Sequence, residues 1–426
     1  MRKGVYKRQS VLSELKLNYI VLSTIPLLLI ILAFFVSTPK EILTGLKKII
    51  LHKDLLLVDY IAVGGLGATF LNAGLTALFC IIIMYFSNAQ ITGPLIAAVI
   101  TILGFSFMGK NIVNVWPIYI GGYLYAKYKK VELKSILVPV FFITTLSPVV
   151  TEIAFGLGIN YIISIPLALF TGIAIGFVVS PLAGQMAKFH DGYNLYNIGF
   201  TGGILGTLIA AILKGFGFAI QTQSILSTEY SSYLRNLLVI VSLIYIIIGY
   251  MMNENSFSGY SNIFKHSGRG LSDFLDRFGS GLAYINMGIM GLISVLYVII
   301  AKGTFNGPVV SGILTVMAFA PFGKNPLNSI PIFIGVYIAA TVKVFDLSST
   351  SMVIAALFGT TLAPIAGSFG TLAGILAGFL HVSVVSNVIL AHGGLNLYNN
   401  GFSGGIVAAI LAPLLSTFFK RKKGIE

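Results

Sequence analysis

The chain has 426 residues, 56% of them hydrophobic and only 9% charged, with a mean hydropathy of +0.94. So few polar side chains cannot cover a soluble globule of that size, which excludes a soluble protein and requires an integral membrane protein whose first partner is the lipid bilayer. The formal net charge of +14 is spread over short clusters between apolar runs and at the two ends, a positive-inside pattern that excludes a nucleic-acid-binding stripe.

The basic start (Arg2, Lys3, Lys7, Arg8, Lys16) precedes an apolar run from 19 to 36. No small-x-small cleavage site follows that run, so an uncleaved helix is expected. Residues 37–57 carry Lys40, Lys47, Lys48 and Lys53, and their spacing predicts an interfacial amphipathic helix with Glu41 and Asp54 offsetting the charge. These segments make up an N-terminal region, 1–57. A first membrane repeat, 58–215, is predicted with spans near 61–86, 92–108, 112–127, 135–155, 161–181 and 198–214. Residues 216–277 connect the halves through a span near 234–252 and a polar linker. A second repeat, 278–419, has spans near 281–301, 307–322, 326–342, 350–366, 369–390 and 402–419, and a basic tail, 420–426, closes the chain. Cys80 is the only cysteine, which excludes a disulfide framework and a thiolate metal site.

The two repeats are written in the residues themselves. Asn72, Gly93-Pro94, Gly109-Lys110-Asn111, Asn114, Pro117 and Gly121 return as Asn286, Gly307-Pro308, Gly323-Lys324-Asn325, Asn328, Pro331 and Gly335, each 214 positions later (286 minus 72, for example). A second block, His190-Asp191-Gly192-Tyr193-Asn194-Leu195-Tyr196-Asn197, returns as His392-Gly393-Gly394-Leu395-Asn396-Leu397-Tyr398-Asn399. Duplicated polar interruptions among apolar helices point to a transport site at a repeat interface. Placing the N-terminus in the cytoplasm brings Lys127, Lys129, Lys130 and Lys134, then Lys265, Arg269 and Arg277, and finally the Lys420 to Lys423 cluster to the same side. The second repeat then starts on the opposite side from the first. The expected fold is therefore all-α and polytopic, of about fourteen helical segments, with two inverted repeats whose interrupted helices meet near the midplane and with both termini cytoplasmic.

Chemistry is expected at the interruptions. Asn325 reads as an N-cap with Pro326 in the first helical position. A lysine beside such a helix start favours an anion or a carbonyl-bearing solute. Either Lys110 and Lys324 serve the solute or they snorkel to the interface; against snorkelling stands a cost of roughly 2.5–3.5 kcal/mol for a lysine inside a span, incurred twice. Asn111, Asn114 and Asn328 extend the hydrogen-bonding set. In the second block Asn194, Tyr196, Asn197, Asn396, Tyr398 and Asn399 suit a neutral amide-like solute as well as an anion, and Thr201 and Ser403 read as N-caps. His190 and His392 stand in both copies and are either structural or coupling residues. Asp191 and Glu152 are single, matched by Gly393 and Ser368, and either bind a cation or proton or pair with a lysine.

At the two G-K-N segments and the two N-L-Y-N-x-G-F blocks, the sequence resembles a bacterial family of multi-pass membrane proteins known as domain of unknown function 1576. The resemblance spans about Leu55 to Leu415 and implies a bacterial plasma-membrane protein with two related halves. Paired halves with interrupted helices are more loosely similar to the urea-transporter architecture. No nucleotide-binding loop, metal-ligand helix or nucleophile elbow is present, so no cofactor, no metal and no enzymatic activity are expected. The functional expectation is a channel or secondary transporter for a small anion or small polar solute. The alternative is a non-transporting membrane scaffold or accessory subunit, and a homo-oligomer is compatible with either.

Overall fold

The structure, a computed structural model, describes residues 2–270 and 272–418, with side chains from Glu14 onward. The basic tail 420–426 and the N-terminal side chains Arg2, Lys3, Lys7 and Arg8 lie outside that description. The helices are α1 (Arg2–Val36), α2 (Pro39–Leu51), α3 (Tyr60–Gly64), α4 (Leu66–Phe86), α5 (Gly93–Phe105), α6 (Trp116–Lys129), α7 (Leu137–Ile143), α8 (Ser147–Thr151), α9 (Tyr161–Phe189) and α10 (Asn197–Gly215). They are followed by α11 (Ser231–Met252), α12 (Phe274–Phe278), α13 (Ser280–Ile300), α14 (Gly307–Ala318), α15 (Pro326–Val342), α16 (Thr350–Gly359), α17 (Ala363–Phe369), α18 (Thr371–His392) and α19 (Asn399–Phe418). Among the described residues, ten helical stretches are long and apolar enough to cross a membrane, while α5, α14 and α15 are apolar but shorter.

Burial divides the spans into two kinds. In the most apolar eighteen residues of 133–156 and of 350–369, 89% of the residues are buried, whereas in those of 14–36, 161–189 and 231–252 only 33% are, and these turn leucine, isoleucine and phenylalanine outward, as lipid-facing helices do. Where helices meet, glycine lets backbones touch. Gly121 of α6 faces the Ile173 carbonyl of α9 and Gly176 returns the contact to the Ile118 carbonyl; Gly335 of α15 and Gly378 of α18 repeat this with Ile375 and Ile332. The helices α1 and α11, read from the sequence as lying outside the repeats, are equivalent too. Gly74 of α4 packs on Pro26 and Ile30 of α1, and Gly288 of α13 packs on Ser242 and Ile246 of α11.

At the centre, α5 and α14 are buried along their length. Gly93 lies against Pro321, Gly104 against Ser311 and Gly307 against Phe107, so the two helices run antiparallel. Each half completes the other's short helix. Asp59, the N-cap of α3, accepts from the Gly307 N–H at 3.0 Å and the Ser227 N–H at 3.1 Å. Asp273, the N-cap of α12, accepts from the Gly93 N–H at 3.1 Å. Burial pushes the Asp59 carboxyl up to about 6 against the pull of its backbone donors.

Several boundaries differ from expectation. The span placed at 61–86 is two helices, broken at Gly65, whose φ is +86°; the 135–155 span is likewise cut into 3-10, α and π turns. The helix expected in 37–57 forms as α2, where Thr38 and Glu41 make a capping box. Asp54 does not neutralise its lysines: it is fully buried and accepts from Asn111 and Asn114.

Candidate functional site

After α5 and α14 the chain must turn inside the protein without leaving carbonyls bare, which would cost several kcal/mol per group away from water. Asn72 does that work in the first half, donating to the Ser106 and Lys110 carbonyls, both at 2.9 Å, and accepting from the Ile112 N–H. Asn286 donates to Ala320 and Lys324 at 3.1 and 2.7 Å. The left-handed positions in these turns fall on Gly109 (φ +85°) and Gly323 (φ +129°), where a side chain would be strained. Beyond each break two asparagines cap each other. Asn111 and Asn114 exchange backbone-to-side-chain bonds of 2.9 Å; Asn325 and Asn328 do the same at 2.9 and 3.1 Å, with Pro326 opening α15 as expected.

The second block is tied across the halves. The Asn194 amide donates to the Gly401 carbonyl at 2.9 Å and the Asn396 amide to the Gly199 carbonyl at 3.1 Å. Their side-chain oxygens accept from Thr361 and Thr145, whose Oγ1 atoms also receive the Tyr196 and Tyr398 backbone N–H groups. His190 pairs with Asn197 and His392 with Asn399, while those asparagine amides donate to the Ala183 and Val385 carbonyls. Both histidines thus hold helix starts. Thr201 and Ser403 are not N-caps: their hydroxyls donate back to the Asn197 and Asn400 carbonyls inside helices that begin earlier. The earlier start follows from the threonine bonds that fix Tyr196 and Tyr398.

These turns bring together a set of rings that single-residue inspection of the sequence missed. Phe105, Phe142, Tyr196, Phe319, Phe358 and Tyr398 form one buried cluster. Tyr196 and Tyr398 meet at a centroid distance of 5.2 Å, Phe105 lies 4.7 Å from Tyr398, and Phe319 lies 4.5 Å from Tyr196. A lysine stands over each end. Lys110 Nζ is 5.2 Å from the Phe105 centroid and 6.0 Å from Tyr398; Lys324 Nζ is 5.2 Å from Phe319 and 4.6 Å from Tyr196. Both lysines are fully buried, so snorkelling is excluded for these two side chains. Lys324 donates to the Tyr196 hydroxyl at 2.6 Å and to Thr360 Oγ1 at 2.7 Å. Lys110 Nζ and the Tyr398 hydroxyl, in the matching places, have no hydrogen-bond partner among the described residues. The signal for the missed residues was present: Phe105 and Phe319 keep the 214 offset, and Thr144-Thr145-Leu146 returns as Thr360-Thr361-Leu362.

A cavity of about 290 Å3 reaches the rings from one side, bordered by Phe142, Tyr196, Phe319, Phe322 and Tyr398, with His190 and Asn197 on its wall. The matching cavity of the other half, about 350 Å3, is lined by Ile354, Val385, Ile389 and Asn399 and touches none of the six rings. At the first cavity's mouth Arg269 binds Asp191 at 2.6 Å and stacks 4.6 Å over Tyr193. Asp191 therefore pairs with an arginine. Glu152 is buried in a π turn, with Oε2 unpartnered among the described residues. No group of three metal-ligating side chains occurs among the described residues.

The profile of the family described as protein of unknown function DUF1576 matches residues 38–215 and 252–417, and the chain belongs to that family. No curated protein and no solved structure matches it.

Proposed function

We propose that this member of the DUF1576 family is a bacterial plasma-membrane transporter for a small anion or small polar solute. The solute sits against the paired rings between two inverted repeats, and both chain termini face the cytoplasm. The carrying observation is the two-fold set of rings, with a buried lysine over each end, and a cavity that borders Tyr196 and Tyr398. Two equivalent short helices running antiparallel support the inversion, because an axis in the membrane plane relates helices in that way. Unequal cavities in related halves are what one state of an alternating-access cycle presents. In that cycle Lys110 and Lys324 exchange roles: the ammonium that holds its own tyrosine and threonine is occupied, and the other is free to attract the solute. The rings supply apolar walls and the lysines charge.

One observation favours the scaffold alternative. The amides of Asn111, Asn114, Asn325, Asn328, Asn194, Asn197, Asn396 and Asn399 are engaged within the protein, so they support the broken helices before they serve any solute. Flux by the purified protein in liposomes decides between the readings. Selective uptake of small carboxylates, inorganic anions or urea-like solutes, lost in Lys110→Ala/Lys324→Ala, upholds transport; silence across that panel with folded protein upholds the scaffold.

A further inference from the structure

The two breaks use the same asparagine pair in different ways. In the second half, the Asn325 amide donates to the carbonyls of Ile263 and His266, and the Asn328 amide to those of Ser267 and Gly323. In the first half a carboxylate takes that place: the amides of Asn111 and Asn114 donate to Asp54 Oδ2 at 3.3 and 3.2 Å. The position matching Asp54 at the 214 offset is Gly268, so the first half holds an ionisable group where the second holds backbone.

Asp54 is fully buried, and its Oδ1 accepts no hydrogen bond among the described residues. The imidazole Nδ1 of His52 lies 3.9 Å from that oxygen, and the His52 side chain is 24% exposed. A buried acceptor therefore has one titratable neighbour that reaches the surface. The other groups around it are the Tyr60 and Thr151 hydroxyls, with Lys53 on the same segment and Glu152 next to Thr151. Lys110 adjoins Asn111 in sequence, but its ammonium is turned onto the rings. Among the described residues no cation is hydrogen-bonded to the carboxylate to hold it charged.

Building on the transport reading, we propose that Asp54 is a proton-binding site that couples proton movement to solute transport, with His52 as its connection to water. One proton passes from the His52 imidazolium to Asp54 Oδ1, leaving neutral imidazole and a neutral carboxyl; release by the same route restores the carboxylate. A neutral carboxyl weakens the pull on the Asn111 and Asn114 amides, and so bears on the turn that carries Lys110. Burial holds the Asp54 carboxyl well above the usual carboxylate range.

The test uses the full chain in liposomes. Solute accumulation driven by an imposed pH gradient is compared with solute exchange at equal pH, and a pH-sensitive dye follows protons. Wild-type protein should show gradient-driven accumulation with proton movement. Asp54→Asn, which keeps an oxygen for both amides, should lower the ratio of accumulation to exchange at least tenfold. His52→Gln should slow proton movement without removing exchange. Infrared difference spectra of the detergent-purified protein across a pH step give a readout that needs no flux: the protonated-carboxyl band of wild type should lose its Asp54 component in Asp54→Asn, leaving that of other buried carboxyls such as Asp59 and Glu152. Accumulation that follows a sodium gradient and ignores pH, or an unchanged infrared band in Asp54→Asn, overturns the proposal. Absence of all flux with the band present would instead sink the transport reading while leaving Asp54 as a proton site.

Discussion

Lys110 and Lys324 occupy matching places, beside matching rings, after matching helices, and yet they live differently. Lys324 has two hydroxyl partners; Lys110 has none among the described residues, and neither has the tyrosine at its end of the cluster. Sequence symmetry alone would make the two lysines interchangeable. The cavities of the two halves differ as well: the one walled by His190 and Asn197 borders Tyr196 and Tyr398, and its counterpart lined by Ile389 and Asn399 touches none of the six rings. Chemical equivalence without environmental equivalence is a conformational statement, and it can be broken experimentally.

The largest expected effect comes from the straps between halves. Asp59→Ala strands the N–H groups of Ile61, Ser227 and Gly307, each worth about 1–3 kcal/mol when buried and unpaired. Asp273→Ala also strands three, on Gly93, Leu275 and Asp276, but these bonds are part-buried or exposed, whereas two of the three at Asp59 are buried. Thermal unfolding in detergent should therefore show Asp59→Ala losing several kcal/mol and more than Asp273→Ala; equal losses would show that the straps do not differ. Next comes the lysine pair. Lys324→Met leaves two hydroxyls without their donor and should cost about 1 kcal/mol, while Lys110→Met removes an unpaired buried ammonium and should leave stability unchanged or raise it. The opposite ranking would mean that Lys110 has the better partners.

Smaller still, and directed at the cavities, is labelling. Because Cys80 is buried, single cysteines at Ala187 and Ile389 should report separately on the two cavities. A membrane-impermeant maleimide should reach them from opposite faces of the vesicle, and adding solute should change their rates in opposite senses. Labelling of both from one face would refute the inverted arrangement. Last, Arg269→Ala breaks an ion pair whose Asp191 side chain is largely exposed. It should shift unfolding by less than about 1 kcal/mol while raising the labelling rate at Ala187.

Much of this was legible in advance because repeated polar residues in an apolar chain are costly and therefore conspicuous. The breaks at Lys110 and Lys324, the Pro326 helix start and the amphipathic α2 were readable from local chemistry. The aromatic cluster was not, because phenylalanine in a membrane segment is ordinary until two copies converge. The pairing of α1 with α11 was hidden for a related reason: the glycines that repeat in their contacts, Gly74 and Gly288, lie on the partner helices, which leaves α1 and α11 freer to differ. Asp59 and Asp273 keep the 214 offset, but each looks like a local turn residue; its long-range donor exists only in the fold. Thr201 and Ser403 misled because a hydroxyl near a helix start resembles a cap, and only the cross-half threonines show where the helix begins.

The reciprocal caps have a consequence for how the protein is made. Gly93 must wait for Asp273, 180 residues later in the chain, and Asp59 waits 248 residues for Gly307. At the pace of ribosomal synthesis the first of these delays lasts roughly 10–40 s. During that time a short apolar helix, capped by Thr92 but with its Gly93 N–H unpaired, must reside in the insertion machinery or at the bilayer surface. The first half is therefore born incomplete, and a nascent chain arrested before Asp273 should remain exposed to membrane-bound proteases that the finished protein resists.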